Sequence, residues 1–228
     1  ALTPPPPFPL PDGRKPAYRP HEASVGDLDG DRDYELVFKW VGVRKDNSRH
    51  GDTSPTILEA IEMSGKSLWT INLGINIRSG AHYTPFLVYD LDGDGKAEVV
   101  CRTSDGTRDA KDTVIGDAGK DHRDKNGRVL RAPEYLTVFN GETGAALDTV
   151  PYEPARGDVG SWGDTYGNRS ERHLACIACL DGKRPAVVFG RGYYKGRRGP
   201  GRTAIAAWSL RKKKLTMQWK FDTWKRKD

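Results

Sequence analysis

The chain has 228 residues and a formal net charge of +6; only 36% of it is hydrophobic, with 26 glycines and 15 prolines. That composition favours a loop-rich β protein of one large or two small domains over a helical one. No apolar run reaches the eighteen residues of a membrane span, so no membrane partner is expected, and no secretory leader is visible, which reads as a mature form or a fragment.

Residues 1–20 carry the Pro4–Pro7 run and three further prolines before Tyr18. They predict an extended polyproline-type linker that separates an upstream domain from the body, residues 21–228. The body opens on Asp27-Leu-Asp-Gly-Asp-Arg-Asp-Tyr-Glu35, followed by the apolar Leu36-Val37-Phe38. A second copy, Asp90-Leu-Asp-Gly-Asp-Gly-Lys-Ala-Glu98, enters Val99-Val100-Cys101. Carboxylates crowded at every other position repel one another unless a hard divalent cation lies between them, and Ca²⁺ takes six to eight oxygens. Asp27, Asp29, Asp31, Asp33 and Glu35 form one candidate ligand set. Asp90, Asp92, Asp94, the Lys96 carbonyl and Glu98 form the other. Neither is an EF-hand, whose closing glutamate stands at position 12 and opens a helix; here the ninth residue opens a β-branched run. Gly95 suits the positive-φ bend of such a loop, whereas Arg32 at the equivalent position predicts strain. A metal-free acidic turn is the plainer alternative.

A third, worn copy runs from Cys179-Leu-Asp-Gly to Val187-Val188-Phe189; it lacks the other carboxylates and is assigned no metal. Each copy is followed by a hairpin signal, at Ile57–Trp69, Leu136–Leu147 and Ile205–Trp219. The repeated order of acidic loop, strand and hairpin favours β-propeller blades over a β-sandwich. Trp40, Trp69, Trp208 and Trp219 are then expected between blades.

Other polar groups are less specific. Asp164, Asn168 and Glu171 offer oxygens beside the Gly163 and Gly167 turns, as a third metal set or as turn-stabilising hydrogen bonds. Asp105 and Asp117 are weaker metal candidates. Cys176-Ile-Ala-Cys179 sits in an apolar stretch without a second Cys or His pair, which reads as buried structural thiols rather than zinc. Residues 183–228 hold 15 Lys/Arg against 2 Asp/Glu. The runs Arg211–Lys214 and Lys225–Lys227 read as a solvated hairpin tip and terminus, and no nucleic-acid partner is expected.

The ordered segments Ala23–Asp31, Leu68–Gly74, Gly80-Ala-His-Tyr-Thr84, Pro133–Phe139, Tyr152–Gly157, Trp162–Arg169 and Arg191-Gly-Tyr-Tyr194 resemble the family 11 polysaccharide lyases, which cleave rhamnogalacturonan I. The resemblance implies an all-β fold, an incomplete arc of about three blades of an eight-bladed, calcium-rich propeller with its active cleft on one face. It also implies a secreted enzyme of pectin degradation whose acidic polysaccharide substrate is broken by β-elimination at galacturonate C4. His82 and Arg78, beside the Gly-Ala-His-Tyr motif, and His21 are the substrate-binding candidates. His21 stands where the family pattern has Asn, Val41 where it has Asp, and Glu171 where it has Asp. No position matches the family's catalytic base, so the catalytic residues are unknown and the isolated chain reads as a truncated, inactive piece. A non-catalytic, calcium-stabilised propeller module for binding or adhesion, of the FG-GAP kind, fits the acidic loops equally well. An open arc would leave blade faces exposed and predicts self-association.

Overall fold

A computed structural model describes residues 2–193 and 201–225. The secondary structure is β apart from two single 3₁₀ turns, Val159–Trp162 and Thr223–Lys225. Three antiparallel meanders of four strands each account for most of it. The first contains β1 (Arg19–Gly26), β2 (Glu35–Val41), β3 (Ile57–Ile61) and β4 (Ser67–Asn72). The second contains β5 (Phe86–Tyr89) and β6 (Glu98–Thr103), then β9 (Tyr135–Phe139) and β10 (Ala146–Pro151). Between β6 and β9 a short ribbon, β7 (Thr107–Arg108) and β8 (Val114–Ile115), adds itself to the edge of β4. The third contains β11 (His173–Ala178), β12 (Ala186–Arg191), β13 (Ala204–Arg211) and β14 (Lys214–Asp222). The three predicted hairpins are β3–β4, β9–β10 and β13–β14, and each acidic loop or its remnant joins the first two strands of a sheet.

The sheets stack, which is why their strands are apolar on both faces. In the middle sheet Val99, Cys101 and Phe139 pack toward the first sheet, against Leu58, Ala60, Trp69 and Ile71. Val100, Leu136 and Val138 point the other way, onto Val187, Phe189, Ala206 and Trp208 of the third. Sheet contacts are close at the turns too: Trp69 Nε1 donates to the Gly141 carbonyl at 2.6 Å. A Cβ at Gly141 would lie 1.8 Å from the Ala97 carbonyl oxygen, so only glycine fits there.

Three expectations are corrected. Residues 1–20 are not a free linker: Leu10 and Tyr18 are buried, Phe8 packs with Tyr18 against Phe38 and Trp40, and Tyr18 Oη donates to the Pro55 carbonyl at 2.9 Å. The segment thereby covers the outer face of the first sheet. Among the described residues the outer face of the third sheet has no such cover. Its register lines up Leu174 with Phe221 and Cys176 with Trp219, and Leu174, Trp219 and Phe221 are 50%, 41% and 43% exposed. Trp219 is therefore not interior, unlike Trp40, Trp69 and Trp208, and Cys176 and Cys179 are exposed free thiols rather than buried ones. Tyr194, Arg226 and Lys227 of the sequence motifs lie outside the described residues.

Alternating turns in a meander send connections to opposite ends. The tight turns β1–β2, β3–β4, β5–β6, β9–β10, β11–β12 and β13–β14 gather at one end, and Ala97 N–H donates to the Asp27 carbonyl at 2.7 Å between two of them. The long connections, residues 42–56, 73–85, 104–134 and 152–172, gather at the other. A strand of six residues separates the ends by about 20 Å.

Candidate functional site

The two acidic loops fold alike because each first aspartate caps its own backbone. Asp27 Oδ1 accepts from Gly30 N–H at 2.7 Å, and Asp90 Oδ1 from Gly93 N–H at 2.7 Å. The second oxygens accept from Arg32 and Gly95 N–H at 2.9 and 3.0 Å. Both sixth residues are left-handed, with φ of 77° at Arg32 and 89° at Gly95, so the expected strain at Arg32 is present. Glu35 and Glu98 reach back to Leu28 and Leu91 N–H at 2.8 and 2.9 Å. The result is two trios, Asp27–Asp29–Glu35 and Asp90–Asp92–Glu98, whose ligand oxygens lie within 4.8 Å of one another.

Lys213 near Asp92 and Lys96 near Asp29 offset the crowding only in part. Burial, with Asp92, Asp94 and Asp90 alongside, pushes the Glu98 carboxyl up to about 7. Burial likewise raises Glu35 and Asp92. An all-oxygen set under this pressure fits a hard divalent ion. Asp31, Asp33 and Asp94 stand outside the trios: Asp31 and Asp94 accept backbone N–H bonds from Asp33 and Lys96. The Lys96 side chain pairs with Glu142 at 2.6 Å.

The third predicted metal set is not brought together. Asp164 caps its turn, accepting from Tyr166, Asn168 and Arg169 N–H at 3.1, 3.1 and 2.9 Å. Asn168 Oδ1 accepts from Tyr83 Oη at 3.1 Å and from Arg172 at 3.2 Å. Glu171 is turned away into a buried network that sequence reading missed. There it accepts from Arg102 Nη2 at 2.8 Å and Arg156 Nε at 2.9 Å. Glu134 accepts from the same two guanidiniums, at 2.6 and 2.9 Å, and from Arg191 at 3.0 Å. Burial opposes charge on both glutamates, but the guanidiniums outweigh it, holding Glu134 down to about 2 and Glu171 well below the carboxylate range. His173, 1% exposed, hydrogen-bonds Tyr152 through Nδ1 at 3.0 Å, and burial beside Arg102 and Arg191 pulls it down to about 3. Three guanidiniums thus face two carboxylates around a neutral imidazole. The candidate Asp105 instead pairs with His122 at 2.8 Å, and Asp117 caps Gly119.

The substrate-binding candidates all lie at the long-loop end, in different roles. Arg78 is corrected: it is 2% exposed, and its guanidinium donates to the carbonyls of Lys45, Arg49 and Gly51 at 3.0, 2.9 and 3.0 Å and to that of Gly127. It pins the loops and has no face left for a ligand. His82 is exposed, with φ of 61°; its carbonyl accepts from His173 N–H at 3.0 Å and its ring meets Tyr193 edge-on at 6.2 Å. His21 sits between Arg44, which bonds its Nε2, and Glu22, 3.4 Å from its Nδ1. Beside Arg44 a hollow of about 250 Å³ is lined by Arg44, Lys45, Asp46, Ser48, Arg49 and Ala81. A local cluster of three cations, Arg44, Lys45 and Arg49, thus lies at the long-loop end, and the two carboxylate trios lie at the tight-turn end.

Comparison with known proteins identifies the family. The family model described as rhamnogalacturonan lyase family 11, C-terminal domain, matches residues 1–228. The chain is 52% identical over 214 residues to the rhamnogalacturonan exolyase YesX and to the rhamnogalacturonan endolyase YesW, both of Bacillus subtilis (strain 168). Those matches cover 93% of this chain and 34% of each relative, so it spans about a third of their length. Among solved structures, the Bacillus licheniformis rhamnogalacturonan lyase PL11 superposes with a TM-score of 0.92 at 53% identity, covering 97% of this chain and 37% of that one. The exotype rhamnogalacturonan lyase YesX superposes at 0.93 with 51% identity, covering 98% and 36%. With the family model matched along its length and about half its residues shared with these lyases, this chain belongs to rhamnogalacturonan lyase family 11.

Proposed function

We propose that the chain is part of a secreted rhamnogalacturonan I lyase, contributing one wall of the substrate cleft from its long-loop end. The observation that carries this reading is the Arg44, Lys45 and Arg49 cluster at the long-loop end of a chain 52% identical to lyases of both exo and endo type. In β-elimination at galacturonate C4 the C5 proton leaves while charge builds on the uronate carboxylate. Fixed cations beside that carboxylate favour the charged state, and the long-loop end supplies them. The base that takes the proton has no candidate here and belongs to the part of the relatives that this third does not span.

The three stacked meanders are read as three blades of a larger propeller, with the first strand of each sheet toward the axis. That reading is supported by contacts of β1 with β5 and of β5 with β11. Calcium is the ion assigned to the twin loops, held by Asp27, Asp29 and Glu35 and by Asp90, Asp92 and Glu98. When bound it would neutralise the trios and tie each turn to its strand. A length of strand separates these loops from the cationic hollow, so their ions are read as structural.

The test is retention of the chain in a gel containing rhamnogalacturonan I, with absorbance at 235 nm followed in parallel. Retardation without a rise in absorbance is expected. Mobility unchanged by the polymer would overturn the cleft assignment, and a rise at 235 nm would overturn the assignment of the base to the missing part.

A further inference from the structure

The hollow at the long-loop end has a charge imbalance that the fold does not resolve. Its neighbouring acids are already paired, Asp46 with Arg172 at 2.7 Å, Glu22 with the buried Lys39, and Asp12, which feels the charge of Lys45, with Arg14 at 2.6 Å. Among the described residues neither Arg44, Lys45 nor Arg49 pairs with a carboxylate. Arg44 bonds only the imidazole of His21, and Lys45 only the His50 carbonyl, at 2.8 Å. Because Arg44 donates to Nε2, the imidazole proton sits on Nδ1, toward Glu22. His21 therefore aims the Arg44 guanidinium without neutralising it.

The backbone beneath these cations is fixed from below. Arg78 holds the carbonyls of Lys45 and Arg49, Lys45 N–H donates to the Ser79 carbonyl at 2.8 Å, and Arg49 N–H to the Asp46 carbonyl at 2.9 Å. Arg172 bonds the Ala81 carbonyl at 2.8 Å and Asp46 together, closing the far wall. A surface loop carrying loose lysines and arginines would lose much of its binding energy in ordering them; a pinned loop loses less. Two guanidiniums present the planar fork that matches a carboxylate with two parallel hydrogen bonds. At about 250 Å³ the hollow falls below the range typical of drug-sized ligands and suits a single sugar residue.

We propose that Arg44, Lys45 and Arg49 form a subsite for the carboxylate of one uronic acid residue, with His21 and Arg78 as positioning residues. The proposal deepens the cleft assignment above and rests on it for the substrate class.

The test separates the two. The side-chain Nε–Hε signals of Arg44 and Arg49 are followed by NMR during titration with sodium D-galacturonate, with D-galactose and with sodium chloride at equal ionic strength. Saturable shifts at millimolar galacturonate are expected, with none from galactose or chloride. Arg44→Gln and Arg49→Gln, both at exposed positions, should each weaken galacturonate roughly tenfold while the melting temperature stays unchanged. His21→Ala should weaken it less, and Arg44→Lys should restore part of the affinity lost in Arg44→Gln, a pattern that a purely structural role would not give. Signals that do not saturate with galacturonate overturn the subsite; retention by the polymer in the same preparation would then leave the cleft assignment standing. Tighter binding of inorganic phosphate than of galacturonate at the same signals would also overturn it, marking a phosphate site instead.

Discussion

Replacing Glu171 by Gln removes one of two negative charges from a chamber that holds three guanidiniums. Glu171 accepts from Arg102 at 2.8 Å and Arg156 at 2.9 Å, and all three side chains are at most 5% exposed. Glu134 already serves Arg102, Arg156 and Arg191, so it has no capacity to take over. With His173 neutral, the buried balance rises from one excess positive charge to two. Removing one partner of a buried ion pair costs about 3–5 kcal/mol, because the other is left uncompensated away from water. Unfolding entropy near 2.1 cal/mol/K per residue over 228 residues gives about 0.5 kcal/mol/K, so the melting temperature should fall by about 6–10 °C. Calorimetry of the parent, Glu171→Gln and Glu171→Asp at pH 7 measures it, with Asp expected in between because it keeps the charge at poorer reach. A Gln variant melting within about 2 °C of the parent would show that the chamber does not depend on this carboxylate, and would refute the charge count.

Acid should destabilise the chain in two stages. His173, held near 3, contributes stability that is present above its ordinary 6.5 and is lost as pH falls below that. Glu134, held near 2, contributes stability present above about 4.5 and lost as pH falls toward 2. Melting curves of His173→Asn should therefore be flatter than the parent between pH 6.5 and 4.5, and a slope as steep as the parent's would count against a neutral buried imidazole. Calcium at a hundred times its dissociation constant would add about 2.7 kcal/mol for each site. Chelation should lower the melting temperature accordingly, and Asp92→Asn should reduce the bound ions from two to one by elemental analysis; an unchanged melt after chelation would remove the metal assignment. Trp219→Lys should convert self-associated chain to monomer in sedimentation velocity, since it charges the uncovered face of the third sheet. A parent already monomeric at tens of micromolar would argue that this face is not sticky.

The parts of the fold that sequence showed plainly are those written locally. Alternating carboxylates over nine residues and the apolar run after them determine both a turn and a strand start, with no help from distant chain. That is why the twin loops fold as expected and three of the five proposed oxygen donors in each meet. Asp31 and Asp94 accept from their own backbone instead, a choice decided by turn geometry finer than spacing can resolve. The N-terminal segment departs from its expected linker form for a related reason. Its prolines do favour an extended chain, but Phe8, Leu10 and Tyr18 among them are apolar, and an uncovered sheet face is a stronger determinant than linker composition.

The chamber around Glu171 could not have been found that way, because its members come from β6, β11, β12 and two connections, up to 69 residues apart in one bond. Each looks ordinary alone: Arg102 follows an apolar run, Glu134 and Arg156 lie in loops, and Arg191 ends a strand. Only stacking the sheets brings them into one dry volume. Arg78 shows the same limit from the opposite side. A long cation beside an aromatic motif at a cleft suggests a ligand contact, yet four backbone carbonyls from residues 45–51 and 127 claim it first. An interior carbonyl without a donor is expensive, whereas a surface cation without a partner is not. Guanidiniums are therefore assigned from the inside outward: those that can reach orphaned carbonyls or buried carboxylates are consumed by the fold, and Arg44 and Arg49 are among those left at the rim, where the proposed subsite uses them.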